Sequence, residues 1–368
     1  MAARPATRRP ASSAPAQSAS APKAPVRDFG ASSAFTVEWD VRPVYDFLFS
    51  LSADAGTTDD LPAADREWLT TTRAALSDPE SHGLQALIAS DLAIHIASYA
   101  IQHPELRTGD DLVASIDTVE TAGFLRALLT DFLDDRITGD LIDRCAHGDE
   151  GALSALRDAM PEHKTAFHTL LDDPSAAHRH IAGALRAWAD AFRPIEARIT
   201  GILERDHAGR VADRATLDPS ELIERTTNGI RWLSEPGVRR VVLAPSYLVR
   251  PYNFTFSGGD WRMFVYPVAD EATEPHDPLA PPQSVLRLHR ALGDDTRLRI
   301  LRLLKERDFY LTEIAERLEL SKPTIKHHLA QLRAACLVTL TEEGGMSYYS
   351  LRRDRLQDAT SELVRFLT

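Results

Sequence analysis

From Asp46 to about Leu233, apolar residues return every three or four positions, the period that lines one face of a helix. Leu84, Leu87, Ile88, Leu92, Ile96 and Tyr99 form one stripe, and Phe124, Leu128, Phe132 and Leu133 form another. Such stripes need packing partners, so the pattern predicts a helical bundle. Breakers at His103-Pro104, Thr108-Gly109-Asp110, Asp172-Asp173-Pro174 and Glu235-Pro236-Gly237 divide it into helices of ordinary length. Ahead of the bundle, Phe35, Val37 and Trp39 alternate as a short strand, and Asp40 followed by Arg42-Pro43 reads as a helix cap. Beyond it, the periodicity shortens to two. Val238 to Leu243, Tyr252 to Phe256 and Trp261 to Tyr266 read as strands, the last two joined as a hairpin by Ser257-Gly258-Gly259-Asp260.

Val268 to Gln283 is rich in proline and acids and reads as a linker, with a boundary near Pro282. From Ser284 the helical period resumes in short pieces. Val285 to Leu292 is a first helix; Asp294 or Asp295 caps a second, with Leu298, Leu301 and Leu304 on one face. Thr312 is placed to cap a third that buries Ile314, Ala315 and Leu318, and Ser321 a fourth. Two capped helices joined by Glu319-Leu320 make a helix-turn-helix. In the fourth helix Ile325, Leu329 and Leu332 supply the buried stripe, so the other side presents Lys322, Lys326, His327 and Arg333, with Thr324 near the N-terminus. That polar, basic face suits a DNA groove: Thr, Lys and His reach base edges, and Arg333 meets phosphate. Val338 to Leu340 and Ser347 to Leu351 form a hairpin, the wing, around Glu342-Glu343-Gly344-Gly345; Arg355 to Leu367 is a last helix.

The fold expected is therefore mainly α: an N-terminal helical bundle with a small β-hairpin or sheet, then a C-terminal winged helix-turn-helix. Residues 1–30 are a disordered Ala/Pro/Ser-rich tail, 31–267 a mainly helical sensor candidate, 268–283 the linker and 284–368 the DNA-binding domain.

Two motifs in this segment are specific. They are Leu288-His289-Arg290-Ala291-Leu292-Gly293-Asp294-Asp295-Thr296-Arg297-Leu298-Arg299-Ile300-Leu301 and Leu320-Ser321-Lys322-Pro323-Thr324-Ile325-Lys326-His327-His328-Leu329. In that order they closely resemble the ArsR family of bacterial regulators. The resemblance implies a homodimer on a double-stranded DNA operator, acting as a repressor. Its DNA contacts would be Ser321, Lys322, Pro323, Thr324, Lys326, His327 and Arg333. Its dimer contacts would come from the first and last helices, here Leu288, Leu292, Leu363 and Phe366. The residues before Pro282 resemble an N-terminal region fused to some actinobacterial ArsR-like regulators. Two departures matter. Asp308 to Thr312 holds no cysteine and the last helix no histidine, so the family's metal sites lack ligands and no metal is expected. The wing offers Glu342 and Glu343 where many relatives carry arginine, which weakens the case for a minor-groove contact.

Charge sharpens the division. The chain carries a net −12, yet Ser284 to Thr368 holds 15 Lys and Arg against 12 Asp and Glu. With the basic tail set aside, the middle bears about twenty net negative charges and should repel DNA. Two cysteines, Cys145 and Cys336, build no disulfide framework, and no apolar run reaches the roughly 18 residues of a membrane span, so a cytoplasmic protein without membrane contact is expected. His163, His168, His178 and His180 do not follow a zinc spacing, and no enzyme motif or cofactor fingerprint precedes residue 284. Trp188, Phe192, Trp232, Tyr247, Tyr252, Phe254 and Trp261 build core or line a pocket. The large N-terminal region either senses a small molecule or protein, or serves a structural, dimerising role. The reading in another class is a winged helix that docks protein and has lost sequence-specific DNA binding.

Overall fold

The computed structural model describes residues 35–368, apart from 54, 58, 77–86, 89–91, 130–135, 161–170, 274–280 and 344–345. The tail, Leu84, Phe132, Leu133, His163 and His168 lie outside the described residues. Strand β1 (Thr36–Trp39) leads into helices α1 (Val44–Phe49), α2 (Ala63–Ala74), α3 (Leu92–Gln102), α4 (Gly109–Thr118), α5 (Thr121–Leu128), α6 (Gly139–Ala146) and α7 (Glu150–Ala159). Of the breakers, His103-Pro104 ends α3, Glu235-Pro236-Gly237 falls between two strands, and the other two sit where helices start. Thr108 caps α4 by accepting the Asp111 amide at 3.1 Å, and Asp173 caps α8 (Pro174–Thr216) by accepting that of Ala176 at 2.9 Å. Helix α8 runs for 43 residues, well beyond the ordinary length expected. Pro194 removes one ladder bond, but apolar residues on either side, Trp188 and Phe192 before it and Ile199, Ile202 and Leu203 after it, are buried in one core and hold the helix together.

The start of the bundle is fixed by two buried polar side chains, Arg42 and Asp46. Arg42, 2% exposed, is not part of a cap. Its guanidinium grips both Asp40 carboxylate oxygens at 2.6 Å and donates to the carbonyls of Ala100, His103 and Leu106, closing the end of α3. Asp46 in α1 accepts from the Ser246 hydroxyl at 2.9 Å and from the amides of Tyr247 and Leu248 at 2.8 and 2.7 Å. Its other oxygen has no partner, and burial outweighs the three bonds, pushing the carboxyl up to about 7. The folded group thus keeps its proton over a range in which an unfolded aspartate, near about 4, has lost it. Stability from Asp46 should be full below about pH 4 and fall as pH rises to about 7. Asp46→Asn, which keeps the accepting oxygen, is expected to flatten that slope in urea unfolding midpoints measured across this range.

Helix α9 (Pro219–Thr226) is followed by strands β2 (Ile230–Trp232), β3 (Arg240–Ser246), β4 (Phe254–Ser257) and β5 (Trp261–Pro267). The first sheet has the order β1-β3-β5-β4, parallel except for the β4–β5 hairpin, where Phe254 faces Val265 and Ser257 faces Arg262. Both of its faces are apolar because both are covered. Val242, Ala244, Met263 and Val265 pack on the helices; Val241, Leu243, Phe264 and Tyr266 pack with Ile223, Ile230 and Trp232.

Strand β2 corrects the expectation of helix up to Leu233. After α9, Asn228 and Gly229 take φ of +56° and +104°, and Ile230–Trp232 turn away to pair in parallel with β7 (Val338–Glu343) of the C-terminal segment. The linker is also partly packed: Val268 and Ala272 are buried, and Asp270 binds Arg250 and Arg287 at 2.7 and 3.0 Å. Trp188, Phe192, Trp232 and Tyr247 are all buried as core.

Candidate nucleic-acid interface

The segment from Ser284 onward, the reader, is built of α10 (Gln283–Leu292), α11 (Asp295–Leu304), β6 (Phe309–Tyr310), α12 (Leu311–Leu318), α13 (Lys322–Ala334), β7, β8 (Met346–Leu351) and α14 (Arg353–Leu367). Asp294, the first of the two candidates, caps α11 by accepting the Arg297 amide at 2.8 Å. Helix α12 starts two residues earlier than a Thr312 cap allows, with Tyr310 at the cap position. A short strand precedes it, pairing Phe309 with Tyr349, and the Glu313 carboxylate accepts the Tyr310 amide at 2.9 Å. The turn rests on Glu319 at φ +56°, with the Leu320 amide donating to Ala315 at 3.0 Å; Ser321 then caps α13 through the Thr324 amide at 3.2 Å. Ile325, Leu329 and Leu332 are fully buried against Ile300, Ile314 and Val338, which fixes the rotation of α13.

That rotation leaves Ser321, Lys322, Pro323, Thr324, Lys326 and His327 exposed on one side of the N-terminal half. Lys322 and Lys326, one turn apart, have no ion pair among the described residues. Two exposed cations beside a helix N-terminus are groups whose chemistry suits phosphate oxygens and base edges. His328 is turned inward beside Asp294, 3.7 Å between Nδ1 and Oδ1, and burial lowers its pKa.

The second half of the helix departs from expectation. Arg333 is 6% exposed, and its Nη1 donates to the Thr227 carbonyl at 3.2 Å and the Asn253 side-chain oxygen at 2.5 Å. Burial lowers its pKa, and in this arrangement it cannot meet a phosphate. The reason is the N-terminal region, which lies over this part of the reader. The Tyr252 hydroxyl is 3.1 Å from His327 Nδ1, and β2 occupies the outer edge of the wing, the Leu340 amide donating to Gly229 at 2.8 Å. Glu342 faces Trp232 in that pairing, and burial raises its pKa. Thr227, Tyr252 and Asn253 carry no local signal in the sequence; only the tertiary docking brings them to α13.

Of the expected dimer residues, Leu288 is 2% exposed and packs in the reader's own core. Leu292 and Leu363 are partly buried, and Phe366 is exposed beside Val364 and Leu367. His178 is a core residue, stacked on Phe124 with Nε2 3.0 Å from the Ile116 carbonyl. Cys145 is buried, which pushes its thiol up to about 11, and Cys336 is partly exposed.

Comparison with known proteins meets this segment. Residues 294–339 match the profile of the bacterial regulatory protein, arsR family. The Bacillus subtilis transcriptional repressor SdpR is 40% identical over 78 residues, which is 21% of this chain and 87% of that protein. The chain belongs to the ArsR family. It is a DNA-binding transcriptional regulator of the winged helix-turn-helix kind. The HTH-type transcriptional regulator CmtR of Mycobacterium tuberculosis is similar to this ArsR-family chain at 39% identity over 82 residues, 22% of this chain and 70% of that protein. Among solved structures, HlyU from Vibrio cholerae is 30% identical, covering 23% of this chain and 90% of its own, with a TM-score of 0.20. No helix of the described residues is long and apolar enough to cross a membrane.

Proposed function

We propose that this ArsR-family regulator is a cytoplasmic repressor that binds an operator as a homodimer through α13, and that its N-terminal region restrains the reader until a signal arrives. The observation that carries this reading is the division of α13: its first half is an exposed cationic face, met by Tyr252 at His327, and its second half is held at Arg333 by Thr227 and Asn253. The dimer rests on the exposed Val364, Phe366 and Leu367 at the end of α14, and the repressor sense is that of SdpR by name. Two α13 helices enter successive major grooves, one helical turn apart. The masked reader is disfavoured on DNA because Arg333 is withdrawn and because the strongly acidic N-terminal region beside it repels phosphate.

Gly229 gives the test. Its φ is +104°, and a Cβ there would lie 3.2 Å from the Val338 carbonyl, so Gly229→Val is expected to push β2 off the wing. Affinity for duplex DNA, read by fluorescence anisotropy at low salt, should rise about tenfold. Tyr252→Phe, which removes the bond to His327 and leaves β2 in place, should raise it less. Unchanged or weaker binding in both variants contradicts the restraint.

A further inference from the structure

A cleft of about 760 Å³ lies where the N-terminal region meets the reader, a volume in the range of small-molecule sites. Its walls differ in charge. Among the described residues, the reader contributes Ser284 and Arg287 of α10, Ala334 at the end of α13, Cys336 just beyond it, Arg352 ahead of α14 and Arg355 in its first turn, which makes three guanidinium groups and no carboxylate among those described. The carboxylates lining the cleft among the described residues, Asp60, Glu221, Glu224, Asp270 and Glu271, come from the N-terminal region, which also supplies Arg210, Arg225 and Arg250.

The arginines show what they accept. Arg287 binds Asp60 at 2.7 Å and Asp270 at 3.0 Å, and Asp270 also binds Arg250 at 2.7 Å. One carboxylate is thus shared by a guanidinium from each wall. Arg250 is 4% exposed, and its Nε has no hydrogen-bond partner. Planar forks of this kind match carboxylate and phosphate oxygens in the same way.

We propose that this cleft is the regulator's effector site and that its ligand is a small polar acid. A phosphate or carboxylate group faces Arg287, Arg352 and Arg355, and amino or hydroxyl donors face Glu221 and Glu271. The proposal rests on the restraint described above and gives it a sign. Both walls exist only while the N-terminal region is docked, so a ligand that touches both favours the docked state and weakens DNA binding. Asn228 lines the cleft one residue from the Thr227 carbonyl that holds Arg333, so the ligand and the masking contact share a segment. By linkage, DNA weakens the ligand to the same degree.

The test uses the full chain in buffer free of phosphate and citrate, with pyrophosphate as the phosphate probe and citrate as the carboxylate probe. At least one is expected to raise the melting temperature and to weaken duplex binding about tenfold at saturation. The probe that acts at lower concentration identifies the acid group. Arg352→Ala with Arg355→Ala should abolish both responses while leaving duplex affinity without probe unchanged. If the double variant is unstable, Arg352→Gln and Arg355→Gln each read part of the loss. Lys322→Ala with Lys326→Ala must keep the thermal response, since simple competition for the DNA face would remove it. No thermal response to either probe, or a response untouched by the arginine substitutions, overturns the site. A response that needs the arginines but leaves duplex affinity unchanged keeps the cleft as a ligand site and overturns instead its coupling to the restraint.

Discussion

Lys322→Ala combined with Lys326→Ala is expected to weaken duplex DNA binding by about 10- to 100-fold and to lower the slope of log affinity against log salt by about 2 per protomer, about 4 for the dimer. Both side chains are exposed and free of ion pairs among the described residues, so nothing in the fold leans on them. Thermal stability should therefore stay within about 0.5 kcal/mol of the parent. The two readouts separate a DNA contact from a structural role: the affinity falls and the melting temperature does not. If each phosphate neutralised releases its counterions, the loss grows as salt is lowered. An unchanged salt slope would remove both lysines from the interface.

Arg42→Ala is expected to destabilise the protein by about 3–5 kcal/mol, the range for breaking a buried, hydrogen-bonded charge pair. The substitution leaves the Asp40 carboxylate unpaired and strips the donors from the carbonyls of Ala100, His103 and Leu106 at the end of α3. Arg42→Lys should recover little, because one ammonium cannot reach both carboxylate oxygens and three carbonyls at once. Urea unfolding of the full chain measures the effect. A loss below about 1 kcal/mol would mean that water replaces the guanidinium at little cost.

The reader was legible because its signals are local. Asp294 and Ser321 are caps that announce themselves by residue type, and the Ile325, Leu329, Leu332 stripe fixes which side of α13 faces out. The β4–β5 hairpin was legible for the same reason, a glycine pair between two alternating runs. What local signals could not carry was the docking. Arg333 sits on a helix at a position that periodicity treats as surface, and only Thr227 and Asn253, more than eighty positions away in one case, make it interior. Strand β2 is three residues long and has no meaning without its partner Leu340–Glu342. Leu288 is apolar on a first helix, where periodicity does not separate core from a contact with a second copy, and it packs in the reader's own core. The single 43-residue helix runs through Pro194, whose local preference against a helix interior is overridden by burial on both sides.

The central claim is that α13 reads a DNA sequence, and it is tested most directly by selecting bound sequences from random duplex DNA at near-physiological salt with the full chain and with Gly229→Val. An inverted repeat with half-sites one helical turn apart, enriched more strongly by Gly229→Val than by the parent, is the predicted result. Failure of both proteins to enrich any sequence would contradict the account and favour a winged helix that docks protein instead.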